Sequence, residues 1–459
     1  MIPIHFRSST MVTWQVLLTL FLNSVCYAQI NAGADAHSKA TTLTHPSTKL
    51  QTTEPAAAAP VAPTAPILTW DQAIQRARDA NADLHASQAT VNQNQANVNA
   101  AWGLFLPTVT ATATIQKSNT YDRADDDTDT ARLNLAENLF RGFGDKSRID
   151  QAKKLRDAAQ AAYDLTQAQV SAQLKTSFQN LVIYDRFVKL QDDIISRRQT
   201  NLELVTLKFE GGRENKGSVL LSQANLNQAK LDRLVAANNV EAARVSLARV
   251  IGEETLSYGG VAGSVPVDVP PLTVDFEALA MQAPELRQAT AAAQAAEANI
   301  GVSRSSLLPS LDLTASAGRF GDQFLPQNDQ GTIALGLTIP LFQGGRAFYG
   351  LRAAQAASVS AEASRLSVLR TKIVNLRTTY NAFIEAVEQE NVAQSFVAAA
   401  ETRAKIARSQ YNTGLVSFQD WDLIESDLVT RQRNALTSQN NRVAAEAAWE
   451  QAQGQGFFK

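Results

Sequence analysis

A chain of 459 residues, 45% hydrophobic and with a formal net charge of −2, has room for several domains. It carries no basic footprint for nucleic acid. Its one cysteine, Cys26, and its four histidines, of which only His85 lies beyond residue 45, exclude thiolate or imidazole metal centres and Ser-His-Asp or Cys-His catalysis. No cofactor is expected. The three methionines, Met1, Met11 and Met281, form no thioether ladder for soft metal ions.

In chain order, residues 1–28 read as a secretory signal. Arg7 supplies the positive n-region, "MVTWQVLLTLFLNSV" the apolar region, and "CYA" before Gln29 a small-residue cleavage site. A retained anchor or a lipidated Cys26 are the alternatives. Residues 29–66 are rich in Ala, Thr and Pro and poor in large apolar side chains, a composition that reads as a disordered linker. Order is expected from "LTWDQAI", with Thr69 and Gln72 forming a capping box at a helix start.

Beyond this point the chain repeats once. "NADL" (81–84) matches "APEL" (283–286), "FLPTVTATA" matches "LLPSLDLTA", "LFRG" matches "LFQG", and "FEGG" matches "YNTG". Each pair is separated by 202 residues, so two copies of one unit follow each other almost without gaps, a duplication rather than a solenoid of short units. The first copy is assigned to 67–251, the second to 274–455, an equatorial connection to 252–273 and a C-terminal tail to 456–459.

Each copy contains two segments of period-two alternation: about 108–117 and 130–140, then 310–319 and 331–341. Pro107 and Pro309 stand at the helix-to-strand junctions, where a residue without an N–H that disfavours helix before it marks the change of period. Segments of about ten alternating residues suit tilted strands of a membrane barrel, or equally a soluble hairpin packed on a core. In the barrel reading Leu311, Leu313, Leu335 and Leu337 face lipid. Trp102, Phe105, Phe140, Phe342 and Phe348 cluster near the junctions, as an interfacial girdle or as packing. The helices favour the membrane reading. Asp145–Glu210 and Leu351–Thr413, 66 and 63 residues, hold no Gly or Pro, and each would extend roughly 100 Å at 1.5 Å per residue. Leu366, Leu369, Ile373, Leu376, Tyr380, Phe383 and Val387 mark a heptad seam. Each long helix ends at a glycine tip, about 211–217 and 412–416, and a shorter helix follows. Helices of about 72–102 and 218–251, and of 274–306 and 415–453, stack beside the long ones.

Four strands cannot close a barrel, and an open edge in lipid leaves costly unpaired backbone groups. A membrane chain of this kind therefore oligomerises, as a dimer of eight strands or a trimer of twelve. The leading "LTWDQAIQRA", the "LP" before each first strand, the "LF-x-G" after each second strand and the tips "FEGGR" and "YNTGL" together resemble the TolC-type outer-membrane efflux protein family, across residues 67 to 455. The resemblance implies an α+β membrane protein of the Gram-negative outer membrane. It would be a homotrimer with a 12-stranded β-barrel in outer-membrane lipid and a periplasmic α-barrel of very long antiparallel helices. Docking to a periplasmic adaptor and to an inner-membrane pump or ABC transporter follows, with no chemistry of its own. Efflux and type I secretion are both compatible. The resemblance puts adaptor contacts at Gly212, Arg213, Gly414 and Leu415, although "GGRENKG" departs from the family's usual loop. Past the second tip, Asp420, Asp422 and Glu425 form either a solvated acidic helix start or a cation-attracting ring. The family's aperture aspartate coincides with Asp420; its second coincides with Leu423, leaving Asp422 as a substitute. A soluble or lipid-anchored periplasmic coiled-coil scaffold or adaptor is the alternative, but it would need a β-domain that these separated strands do not supply.

Overall fold

The computed structural model describes residues 66–118, 126–321 and 326–458. The expected export signal, the expected linker up to residue 65, most of the acidic run 122–127 and Lys459 lie outside the described residues.

The described residues open on a strand just ahead of the helix start that the sequence suggested. β1 (Ile67–Thr69) pairs in parallel with β4 (Gly260–Ala262) from the connection between the copies. Thr69 then caps α1 (Trp70–Ala80), with Gln72 completing the capping box. The first short helix is two helices, not one: α1 stops at Asn81, and α2 (Ala82–Trp102) begins there. Asn81 explains the break. Its side-chain oxygen accepts from the Leu84 N–H at 3.0 Å, and its Nδ2 donates to the Val250 carbonyl at 2.8 Å. The second copy breaks at the matching place, Ala283, between α5 (Phe276–Gln282) and α6 (Pro284–Ser305). There Pro284 at the first helical position sets the restart.

After a 3₁₀ turn at Gly103–Phe105, Pro107 leads into β2 (Thr108–Ser118), which pairs with β3 (Asp126–Arg141). α3 (Gly144–Glu210) and α4 (Lys216–Ile251) complete the first copy. The second copy repeats the order with β5 (Ser310–Gly321), β6 (Asn328–Thr338), α7 (Arg346–Thr413) and α8 (Phe418–Ala452). α3 and α7 contain 67 and 68 residues, hence each about 100 Å of helix. β6 ends at Thr338 rather than at 341 because Pro340 cannot donate to a ladder. α3 packs against α2 and α4 on one flank and against α6 and α8 on the other; α7 packs against α5, α6 and α8.

The four longer strands form one antiparallel sheet in the order β2-β3-β5-β6, so the copies meet through β3 and β5. Its register sorts the residues by face. Val109, Leu135, Ala315 and Ile333 stand opposite one another in one row; Leu313 faces Leu335, and Leu311 faces Leu337, on the same side. The other side carries Thr110, Asn134, Ser316 and Thr332, then Thr112, Arg132, Gly318 and Gln330. Here Asn134 donates to Thr112 at 3.2 Å, and Arg132 reaches over β5 to Gln330 Oε1 at 2.8 Å. Gly318 makes that reach feasible, since a Cβ there would collide with the Ala131 carbonyl and the Arg132 stem. The register slips between Asn138 and Phe140. The apolar row therefore passes from Leu135 through Glu137 to Phe140, and Leu139, which unbroken alternation from Leu135 would place in that row, is the extra residue of a bulge.

Two cores form where the short helices break. In the first copy Leu68, Ala77, Leu174, Phe178, Leu247 and Ile251 are fully buried, with Tyr258 and Val265 from the connection. Phe458 joins them, so residues 456–458 are packed and not a free tail. Phe457 stacks edge-on against Trp70 at 5.3 Å, and its N–H donates to Ser171 Oγ at 2.9 Å. In the second copy Leu376 and Phe383 are buried against Ala280 and Trp449, with Leu369, Ile373, Tyr380 and Val387 at their side. The heptad seam of α7 is thus used where α5 and α8 cross it.

Candidate functional site: the helical tips and the start of the last helix

α3 and α7 both end in left-handed glycines. Gly212 has φ 70° and Gly414 has φ 84°, a conformation that costs a residue with a Cβ about 1–2 kcal/mol. In each turn a 6→1 bond closes the helix: Arg213 N–H to the Lys208 carbonyl at 2.8 Å, and Leu415 N–H to the Gln410 carbonyl at 2.9 Å. The next helices start on side-chain caps. Asn215 accepts from Ser218 N–H at 3.0 Å, and Ser417 Oγ accepts from Asp420 N–H at 3.2 Å. Gly212, Arg213, Gly414 and Leu415 are all exposed, Leu415 at 77%, and neither glycine has another atom near the place of a Cβ.

Beneath the turns one small core joins both tips. Tyr411 and Trp421 stack with centroids 4.3 Å apart and planes 11° off parallel, beside Phe418 and Val205. The Lys208 ammonium sits 3.9 Å from the Tyr411 ring centroid and donates to the Tyr411 carbonyl. The Tyr411 hydroxyl donates to Glu214 Oε2 at 3.1 Å. Burial, then the hydrogen bond and charge of Glu214, push the Tyr411 phenol well above its ordinary range. The first tip is therefore clipped to the second through Glu214 and Lys208, a link that sequence inspection missed. Its signal was faint: "GGRENKG" replaces a simple glycine turn with a longer charged one.

The acidic residues of α8 separate by environment. Asp420 is exposed and takes a 2.7 Å bond from the hydroxyl of Ser417, the residue that caps the helix. Asp422 is half-buried, paired with Arg198 of α3 at 2.9 Å and with Asn225 of α4 at 2.9 Å. Arg198 extends the network to Ser426 at 3.0 Å. Glu425 is buried and Leu423 is exposed. Asp422 thus works as a strut between three helices, while Asp420 is the carboxylate presented to solvent. At the opposite end Pro107 and Pro309 lie between helix and sheet, and Leu335 and Leu337 expose more than half their surface. Leu311 and Leu313 are half-buried. His85 is exposed and contacts the Asp79 carbonyl.

Residues 73–253 and 277–455, which take in both copies, match the model of the outer membrane efflux proteins. The chain belongs to the outer membrane efflux protein family. Membership carries the localisation, the outer membrane, and the broad class, an efflux channel and not an enzyme. The chain is 23% identical to the outer membrane protein TolC of Escherichia coli over 378 residues, 76% of this chain and 74% of TolC. It is 22% identical to the outer membrane efflux protein BepC of Brucella suis over 283 residues, which span 61% of each protein. Among solved structures, the outer membrane protein VceC of Vibrio cholerae superposes with a TM-score of 0.74 at 20% identity, covering 85% of this chain and 96% of that one. The long helices with a four-stranded sheet are the fold of that family.

Proposed function

We propose that three copies of this chain close a 12-stranded barrel in the outer membrane. The barrel continues into a periplasmic tunnel of the long helices and forms the exit duct of a tripartite efflux or type I secretion system. The observation that carries this is the sheet itself. β2 and β6 have a partner on one side only among the described residues, the sheet has one apolar and one polar face, and its strands run directly into the helices. An unpaired edge in hydrocarbon is not viable, so neighbouring copies supply the missing pairs. The apolar row with Leu311, Leu313, Leu335 and Leu337 faces lipid, and the Thr/Asn/Ser face lines water. The soluble scaffold reading does not survive family membership.

The far end docks to a periplasmic adaptor, which in turn engages an inner-membrane pump or ABC transporter. Gly212, Arg213, Gly414 and Leu415 form the contact surface, and the clip between Glu214 and Tyr411 presents both tips as one unit. Asp420, repeated about the axis, gives a ring of carboxylates at the narrow opening that draws cations, whereas Asp422 holds the helices together. Residues 1–28 direct export, and 29–66 link to the ordered chain. Native mass measurement of the detergent-extracted outer-membrane fraction tests the assembly. A heat-resistant species of three chains is expected; a monomer released from membranes by urea would refute it.

A further inference from the structure

Where the connection between the copies crosses the end of α8, one lysine meets three carboxylates. Lys175 of α3 and Glu446 of α8 are 2% and 1% exposed at their side chains. The Lys175 ammonium donates to Glu446 Oε1 at 2.9 Å and to Glu450 Oε1 at 2.7 Å. Asp268, in the connection, donates its backbone N–H to the same Glu446 Oε1 at 2.6 Å. Carboxylate oxygens of Asp268, Glu446 and Glu450 lie within 4.8 Å of one another. The nearby Arg442 is turned to Glu390, at 3.0 Å, and to the Asp268 carbonyl. One ammonium thus faces three carboxylates. Glu446 Oε2, although buried, has no hydrogen-bond partner.

Leaving a buried carboxylate oxygen unsatisfied is costly, and adjacent like charges add to that cost. The first copy shows how the same place is otherwise held. At the position 202 residues before Glu446 stands Arg244, whose guanidinium donates to the Tyr258 and Gly259 carbonyls of the connection at 2.6 and 3.2 Å. Position 248, equivalent to Glu450, is alanine. In the first copy the cationic side chain at this position clasps the connection; in the second the aligned side chain is anionic, Arg442 reaches only the Asp268 carbonyl of the connection, and one ammonium, Lys175, serves the three carboxylates.

We propose that Asp268, Glu446 and Glu450 bind a divalent cation that fastens the inter-copy connection to α8. An all-oxygen donor set selects hard ions of the Ca²⁺ class over zinc or copper, and two charges match the carboxylates that Lys175 leaves uncompensated. Asp268 is exposed, so the ion enters from that side and keeps part of its hydration. The site lies within one chain and is independent of the oligomeric state.

The test uses the full-length protein in detergent, stripped with EDTA and titrated with CaCl₂, read by calorimetry and by the thermal midpoint. Saturable binding and a raised midpoint are expected. Asp268→Asn, at an exposed position, is expected to fold normally and to weaken Ca²⁺ binding about tenfold through loss of one ligand charge. An unchanged Ca²⁺ response in Asp268→Asn would overturn the proposal by placing the ion elsewhere. A wild-type protein indifferent to Ca²⁺ but stabilised by acid would overturn it in favour of a proton shared between the glutamates.

Discussion

Asp420 and Asp422 are two residues apart on one helix and have opposite surroundings. Asp420 accepts only from the hydroxyl of the capping Ser417 and faces solvent, so Asp420→Ala should leave assembly intact and lower cation over anion selectivity in single-channel recordings. Unchanged selectivity would exclude it from the conduction path. Asp422→Ala removes the partner of Arg198 and of Asn225. Hydrogen bonds to charged groups contribute about 1.5–3 kcal/mol each, so this variant should lower the thermal midpoint, with the larger effect of the two on stability. The sequence showed both aspartates and could not rank them. Arg198 and Asn225 lie more than 190 residues upstream, and no local pattern announces a partner at that distance.

Periodicity carried the elements well where it was sustained and failed where one side chain decided the outcome. The long helices were legible from the absence of Gly and Pro, and the paired strands from alternation and the prolines before them. Asn81 looked like an ordinary helical polar residue, because its bond to the Val250 carbonyl is tertiary. β1 was hidden because its partner strand, Gly260–Ala262, lies in a connection with no strand pattern of its own. The bulge at Leu139 reassigns the face of the last residues of β3, and the unbroken register before it puts Glu137 beside Leu313. A cation at 313 would find that carboxylate, so the facing of the sheet is better tested one strand away. Leu335→Arg on the apolar face should cost about 2–4 kcal/mol if it sits near the bilayer midplane and reduce the yield of the protein in the outer membrane. Ala334→Lys on the polar face should be tolerated. Equal losses would contradict the assignment of faces.

For the whole molecule, duplication sets the plan, and departures from symmetry show where each copy is specialised. The second copy's junction uses Gly344 and Gly345, both with positive φ; the first uses Gly142 and Phe143, and Phe143 is the one non-glycine residue with positive φ among the described residues. Its ring packs edge-on against Phe140 at 5.1 Å, a contact the second copy lacks a side chain to make. The waists differ too, since the first is completed by Phe458. Phe458→Ala should cost about 3–5 kcal/mol, as for other buried phenylalanines, and lower the thermal midpoint although it lies outside the repeated units. A midpoint unchanged by this truncation would show that the docking contributes nothing.

That docking also orders events in time. The core around Leu68, Phe178 and Ile251 comes mostly from residues 68–265, yet it stays unfinished until Val443 and Phe458 arrive. A chain threaded outward from its N-terminus would cross the inner membrane with this core still lacking Phe458. Contacts between segments so distant in sequence form slowly. The partly translocated polypeptide would thus remain short of its most stable state until the segment carrying Phe458 has crossed.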